Sequence, residues 1–212
     1  MLIRVSALAE LADQLRGLDE SPQERWDAVD SCFQGWVADS DVREKLRNYL
    51  RDLPPDELAA VRARSRETTT HFAWCLRDQP AEGFTFWLHE YKPQHDWRPG
   101  YADSVHNHRY HFSTTIVSGG YLHERYVAAV EQTTHMISSV ELVNRTTCAV
   151  GDVGMMLANE FHRVPEALDR TMTFLVKSRE VVRWSLSYDP NTRASYQHIP
   201  VESRLDDLAS RI

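Results

Sequence analysis

The chain has 212 residues, with 24 Lys+Arg against 31 Asp+Glu, a net charge of −7, 42% hydrophobic and 26% charged residues. Such a composition describes an ordinary globular protein, one sizeable domain plus an appendage, with too little chain for two enzyme-sized domains. Basic residues are scattered among acids, which argues against nucleic-acid binding, and no apolar run approaches membrane-spanning length. Cys32, Cys75 and Cys148 are far apart and form no CxxC. Neither a disulfide framework nor a cysteine zinc site is expected, and a reducing, cytoplasmic setting fits. The N-terminus reaches Glu10 too early for a secretory signal.

Residues 1–68 read as helical. Ser21-Pro22-Gln23-Glu24 is a capping box with proline at the first helical position. Trp26, Val29, Phe33, Trp36 and Val37 follow at helical spacing and predict one buried stripe. The stripe reads first as core packing and alternatively as a dimer or partner surface. A second helix fits 40–50, with Val42, Leu46, Tyr49 and Leu50 inward; Pro54-Pro55 ends it, and Asp56-Glu57 opens a third to about residue 66.

From residue 70 the chain turns β-prone. Strands are expected near 70–77, 84–91, 104–117, 120–128, 134–143, 146–149, 153–158, 171–177 and 181–188. The breaks between them fall at Gln79-Pro80, Arg98-Pro99-Gly100, Ser118-Gly119-Gly120, Asn144-Arg145 and Gly151-Asp152. Many short antiparallel strands point to a sandwich or barrel. Past Pro190 the chain reads as irregular, with a short helix fitting 202–211. The expected organisation is a helical segment 1–68 packed on a barrel 69–190, with a tail 191–212.

Of ten histidines in the chain, four crowd one place: three in His106-Asn107-His108-Arg109-Tyr110-His111, with His123 close behind. In a strand, residues i and i+2 share a face, so His106 and His108 project together and can grip one ion. His162, beyond the Gly151-Asp152 turn and a short apolar strand, is the candidate third arm. His111 is offset by an odd number and turns away unless a bulge intervenes. His123 and Glu124 are candidates for orienting a ligand imidazole. Tyr110 shares the face of His108 and is either a packed aromatic or an acid close to the ion. Arg163, next to a ligand, points the other way as an ion-pair partner. His71, His89, His95, His135 and His198 read as surface or core residues, and Asp96-Trp97-Arg98 as a loop edging the mouth of the site.

These residues resemble the cupin superfamily. Gly100, His106, His108 and Gly119 match its first motif, with Phe112 or Ser113 where a glutamate usually stands. Gly151 and His162 match the ends of its second motif, with Leu157 and Asn159 replacing the proline and glycine. The resemblance covers about residues 84–178 and implies a mainly β fold: a cupin double-stranded β-helix, or jelly-roll barrel, with an N-terminal helical segment. An all-histidine cage is similar to the cysteine dioxygenase-like enzymes. Val105-His106-Asn107-His108 and Phe161-His162-Arg163-Val164 match their ligand segments. Their crosslinking cysteine would fall near Ser113, their substrate-binding arginine near Trp74, and their Ser-His-Tyr relay near Thr173, Leu175 and Lys177. None of those parts is present, so a cysteine substrate is not expected.

In this register Lys177 projects inward, where a buried lysine near a metal is a functional group. Tyr110, Phe112, Phe86, Trp74 and Phe174 would then make the interior aromatic, suited to a substrate with an apolar portion. The leading expectation is a non-haem Fe(II) dioxygenase or other oxygenase acting with O2 on a small molecule that chelates the metal. The alternatives are a Zn or Mn isomerase or lyase, Ni also suiting imidazole, and a non-catalytic ligand sensor whose helices bind a partner. A homodimer is an expectation from the resemblance alone.

Overall fold

The computed structural model describes residues 7–18 and 24–200 together with Leu208 and Arg211. Positions 21–23 of the capping box and nearly all of 202–211 lie outside the described residues. Among the described residues four helices come first: α1 (Ala7–Arg16), α2 (Trp26–Ala38), α3 (Val42–Arg51) and α4 (Pro55–Arg64). The α2 stripe is buried as its spacing predicts, with Val29 and Phe33 fully enclosed. Asp41 caps α3 by accepting the Glu44 N–H at 2.9 Å. Leu50 of α3 is 40% exposed. It lies one residue, about 100°, beyond the face of Val42, Leu46 and Tyr49, which corrects its expected inward placement.

Twelve strands follow: β1 (Arg66–Glu67), β2 (His71–Asp78), β3 (Phe84–Tyr91), β4 (Val105–His106), β5 (Phe112–Ser118), β6 (Gly120–Val130), β7 (Ile137–Ala149), β8 (Val153–Met156), β9 (Phe161–Ala167), β10 (Met172–Ser178), β11 (Ser185–Asp189) and β12 (Ala194–His198). They form two six-stranded sheets, in the orders β1-β2-β3-β10-β5-β8 and β12-β11-β4-β9-β6-β7. The inner pairings are nested: β6 with β7, β5 with β8, β4 with β9, and β3 with β10, all antiparallel. A long hairpin rolled so that its paired arms alternate between two sheets is a jelly roll. The fold is therefore mainly β, with helices at the N-terminus, in the architecture the cupin resemblance implies.

Three local readings are corrected. The strand expected over 104–117 is broken, because Asn107 leaves the ladder: its Oδ1 accepts Leu186 N–H at 2.7 Å and its Nδ2 donates to Ala158 O at 3.0 Å. The expected turn at Asn144-Arg145 is absent, and 137–149 run as one strand. A bulge at Val143 takes up the irregularity, where the register passes from Arg125↔Asn144 to Tyr126↔Leu142. The stretch after Pro190 is ordered enough to add β12, paired with β11.

The first sheet is covered on both faces at its centre, and β3, β5 and β10 are accordingly buried almost throughout. Side chains alternate between two environments. Phe86, Phe174 and Val176 face the helices, where the Phe174 ring lies 6.0 Å from Phe33 and 5.8 Å from Trp36. Trp74 belongs to the same cluster. These aromatics pack the helices onto the barrel and do not line the site, contrary to the sequence expectation. Ser113 also points this way and donates to Asp30 Oδ1 of α2 at 2.7 Å. Thr173, Leu175 and Lys177 face the opposite side, into the cavity.

Candidate metal centre

Strand pairing sets His106 directly across from His162, with ring centroids 4.6 Å apart. His108 arrives by a different route from the one its spacing suggested, since it lies beyond the end of β4. Asn107, held by β11 and by Ala158, turns the chain so that the His108 ring lies 4.8 Å from that of His106. His108 Nε2 is 2.9 Å from His162 Nε2, and one ligand atom from each of the three residues lies within 4.8 Å of the others.

The outer nitrogens are fixed by partners. His106 Nδ1 donates to the Ser104 carbonyl at 2.8 Å, which leaves Nε2 as a lone pair. His162 Nδ1 is 3.0 Å from His123 Nε2. The register of β6 against β9 shifts between Leu122 and Glu124, and this bulge carries the imidazole that reaches His162. A hydrogen bond to the outer nitrogen fixes the tautomer and aim of a metal-binding histidine.

Burial holds the ring pKa of His106 down to about 4 and that of His108 and His162 well below 6.5, and neighbouring imidazoles push the latter two the same way. Burial, followed by Arg125, lowers His123 to about 4. All four rings are neutral at pH 7. Two neutral Nε2 atoms facing each other need a proton or a cation between them, and three such donors suit a divalent transition ion. Among the described residues no carboxylate joins the group. Phe112 sets its ring edge-on to His108 at 5.1 Å.

The group opens into a cavity of about 230 Å³. One side reaches the exposed residues Asn144 and Thr146 of β7, which form the opening. The other side is walled by buried polar groups. Lys177 Nζ lies 3.2 Å from His89 Nε2, 3.4 Å from Tyr110 Oη and 4.4 Å from the centroid of Trp87. Burial pushes its ammonium pKa well below 10.5, and Arg66 pushes it further. The Tyr110 ring stacks on His108 at 5.1 Å, so one aromatic ring separates Lys177 from the metal group. His89 stacks on His71 at 4.3 Å, and burial, then Lys177, lowers the pKa of both, His71 to about 3.

Other expected residues fall elsewhere. His111 turns away, accepting Ala158 N–H at 2.9 Å on Nδ1 with its ring 5.9 Å from Trp26. Glu124 accepts from Tyr126 Oη at 2.5 Å and from Arg145 Nε at 2.9 Å, and does not line the cavity. Burial raises its carboxyl pKa, but those hydrogen bonds outweigh burial and hold it below the usual range. Its partners lie on β6 and β7, so no bond from Glu124 orients a ligand imidazole. Arg163 faces outward, with Nε donating to Asp103 O at 2.7 Å. The 96–98 loop does not edge the cavity, because Trp97 packs on Tyr91 and Arg98 pairs with Glu67 at 3.1 Å. His71 and His89, read from sequence as surface or core, line the cavity. Strand alternation held the signal, since His89 shares a face with Trp87 and pairs with Thr173 of β10.

No family model matches the chain, and no curated protein matches it. Among solved structures, it aligns with one described as DMSP lyases RdDddP and RnDddQII at 14% identity and TM-score 0.36, over 54% of this chain and 55% of that one. It aligns with the capsular polysaccharide assembling protein CapF of Staphylococcus aureus at 14% identity and TM-score 0.37, over 64% of this chain and 31% of that one. With the DMSP lyase DddQ of Ruegeria pomeroyi the values are 11% and 0.37, over 87% and 77%. The chain thus spans about half the length of the first of these and a third of the second. The fold assignment rests on the nested strand order, and the reading of the site on its own residues.

Proposed function

We propose that this chain is a metal-dependent enzyme of cupin type, in which His106, His108 and His162 hold one divalent ion. We further propose that it works with Fe(II) as an oxygenase on a small molecule that chelates the ion. The observation carrying this reading is the convergence of three neutral imidazole nitrogens, with no carboxylate among them, on a partly enclosed cavity. Such an ion, when bound, supplies Lewis acidity and open positions for a chelating substrate and O2. An all-neutral donor set leaves its charge uncompensated, which favours an anionic chelator.

The chain's own residues bind, orient and exclude water. Ser104 O and His123 hold two of the imidazoles in their ligating tautomers. Phe112, Leu175 and Met156 give the cavity an apolar wall. Tyr110 keeps its phenol beside Lys177. Burial raises the phenol's pKa, so at neutral pH it is a proton donor.

Metal analysis of protein purified without added metal, followed by O2-electrode assays of Fe(II)-loaded protein with a panel of chelating acids, tests the reading. About one ion per chain is expected, falling to near zero in His106→Ala and His162→Ala, together with O2 uptake matched to substrate loss. Full metal content in both variants would remove the site. Turnover without O2 would instead favour a Zn or Mn lyase or isomerase. The Lys177–Tyr110 pair supports that second reading, because an amine and a phenol in contact beside a Lewis acid suit proton transfer.

A further inference from the structure

Lys177 is 4% exposed, sits in the cavity wall, and has no carboxylate within ion-pair distance among the described residues. Its polar neighbours, His89 and Tyr110, are neutral, and Trp87 and Tyr110 turn ring faces toward its Nζ, at 4.4 and 5.0 Å from the centroids. Buried lysines are ordinarily paired, because an ammonium removed from water is costly without a counter-charge. The other buried lysine of the described residues obeys the rule: Lys92 meets Glu67 at 2.5 Å. Lys177 is the exception, and it is aimed at the space beside the metal group. A purely structural role would be served better by a leucine or methionine at this position.

We propose that Lys177 receives a second anionic group of the substrate, a carboxylate, so that the substrate is a small diacid. Building on the proposed metal site, one end of this molecule chelates the ion. The other end lies past the Tyr110 ring against the ammonium, with the Tyr110 hydroxyl as a second donor. The incoming carboxylate supplies the counter-charge the fold omits, and Trp87 presents its ring face to the stem and head of the lysine. The cavity of about 230 Å³ equals about eight waters at about 30 Å³ each, and covalently bonded atoms take less room apiece than waters. Four- and five-carbon 2-hydroxy and 2-oxo diacids match that size.

The test uses the full chain loaded with Zn(II), its metal content measured first, and titrated calorimetrically with malate and 2-oxoglutarate. Lactate and pyruvate carry the same chelating head without the second acid and serve as controls. In the wild type, at least one diacid should bind tenfold or more tighter than its monoacid control. In Lys177→Met that advantage should shrink to within about twofold, with monoacid affinity and metal content unchanged. Lys177→Arg, which keeps the charge, should retain part of the preference. A wild type without diacid preference, or a Lys177→Met protein that keeps it, overturns the proposal. Loss of metal binding in the wild type would instead overturn the metal centre, and the metal measurement tells the two failures apart.

Discussion

Replacing Lys177 by methionine should stabilise the metal-free protein, and the gain should depend on pH in a calculable way. The two side chains have similar length, so the exchange keeps the packing against Trp87 and removes a buried amine with no acidic partner among the described residues. Burial depresses the folded-state pKa of Lys177 well below 10.5, while the unfolded chain keeps the ordinary value. The unfolded state therefore binds more protons at every pH between those two values. Within that window wild-type stability rises with pH by about 1.4 kcal/mol per unit, reaches its full value above 10.5, and is lost as pH falls toward the folded value. Between pH 8 and pH 10 the wild type should gain stability that the variant does not, by at most about 2.7 kcal/mol, the limit set by the slope over two units. At about 2–4 °C per kcal/mol for a chain of this size, the difference in Tm should narrow with rising pH, by up to roughly 5–10 °C. Calorimetric or circular-dichroism melts of both chelator-treated proteins at pH 8, 9 and 10 measure it. A difference that stays constant with pH, or a wild type that is the more stable at pH 8, would refute the argument that the amine is buried without a counter-charge.

The remaining predictions concern the site and its frame. His123→Phe should lower metal affinity by about 10–100-fold without changing the number of ions bound at saturation, because it removes the partner of His162 Nδ1; competition with a chromogenic chelator reads this. Phe174→Ala should cost about 3–5 kcal/mol in denaturant unfolding while leaving metal affinity as in the wild type, since the ring packs on Phe33, Trp36 and Phe86. Gly119 has φ +72°, and a Cβ there would press on Thr171, so Gly119→Ala should destabilise by at least about 1 kcal/mol in the same assay. Burial keeps His71 neutral in the fold, with its pKa lowered to about 3. The unfolded chain takes up a proton below about pH 6.5, so stability should fall on acidification by up to about 1.4 kcal/mol per unit, and a His71→Phe variant should show a correspondingly shallower acid limb.

The three histidines were legible because strand spacing, the HxH pair and the distant return strand converge on one place. Period-two alternation explains His106, but His108 reaches the group only because Asn107 exchanges hydrogen bonds with Leu186 and Ala158, contacts 79 and 51 residues away that no local pattern displays. The interior aromatics went wrong for a reason visible in the spacing itself. Lys177 and Phe174 are three apart in one strand, so they face opposite sides of the sheet and cannot both look inward. Choosing between the two faces required knowing that helices cover one of them. Asn144-Arg145 carries the composition of a turn yet sits inside β7, where pairing with eleven residues of β6 and a bulge outweigh local preference. His71 and His89 were hidden by their separation of 18 residues, which hairpin pairing of β2 with β3 removes.

The two-faced first sheet has a consequence for how such a protein changes its ligand. Thr85, Trp87 and His89 on β3, and Thr173, Leu175 and Lys177 on β10, alternate with Phe84, Phe86, Leu88, Phe174 and Val176, which clamp the helices. The two sets share a backbone but not a neighbourhood. Substitutions at one parity can redraw the cavity while the other parity keeps the chain folded. The shape of the cavity and the docking of the helices are thus written on opposite sides of the same strands, and each can drift without the other.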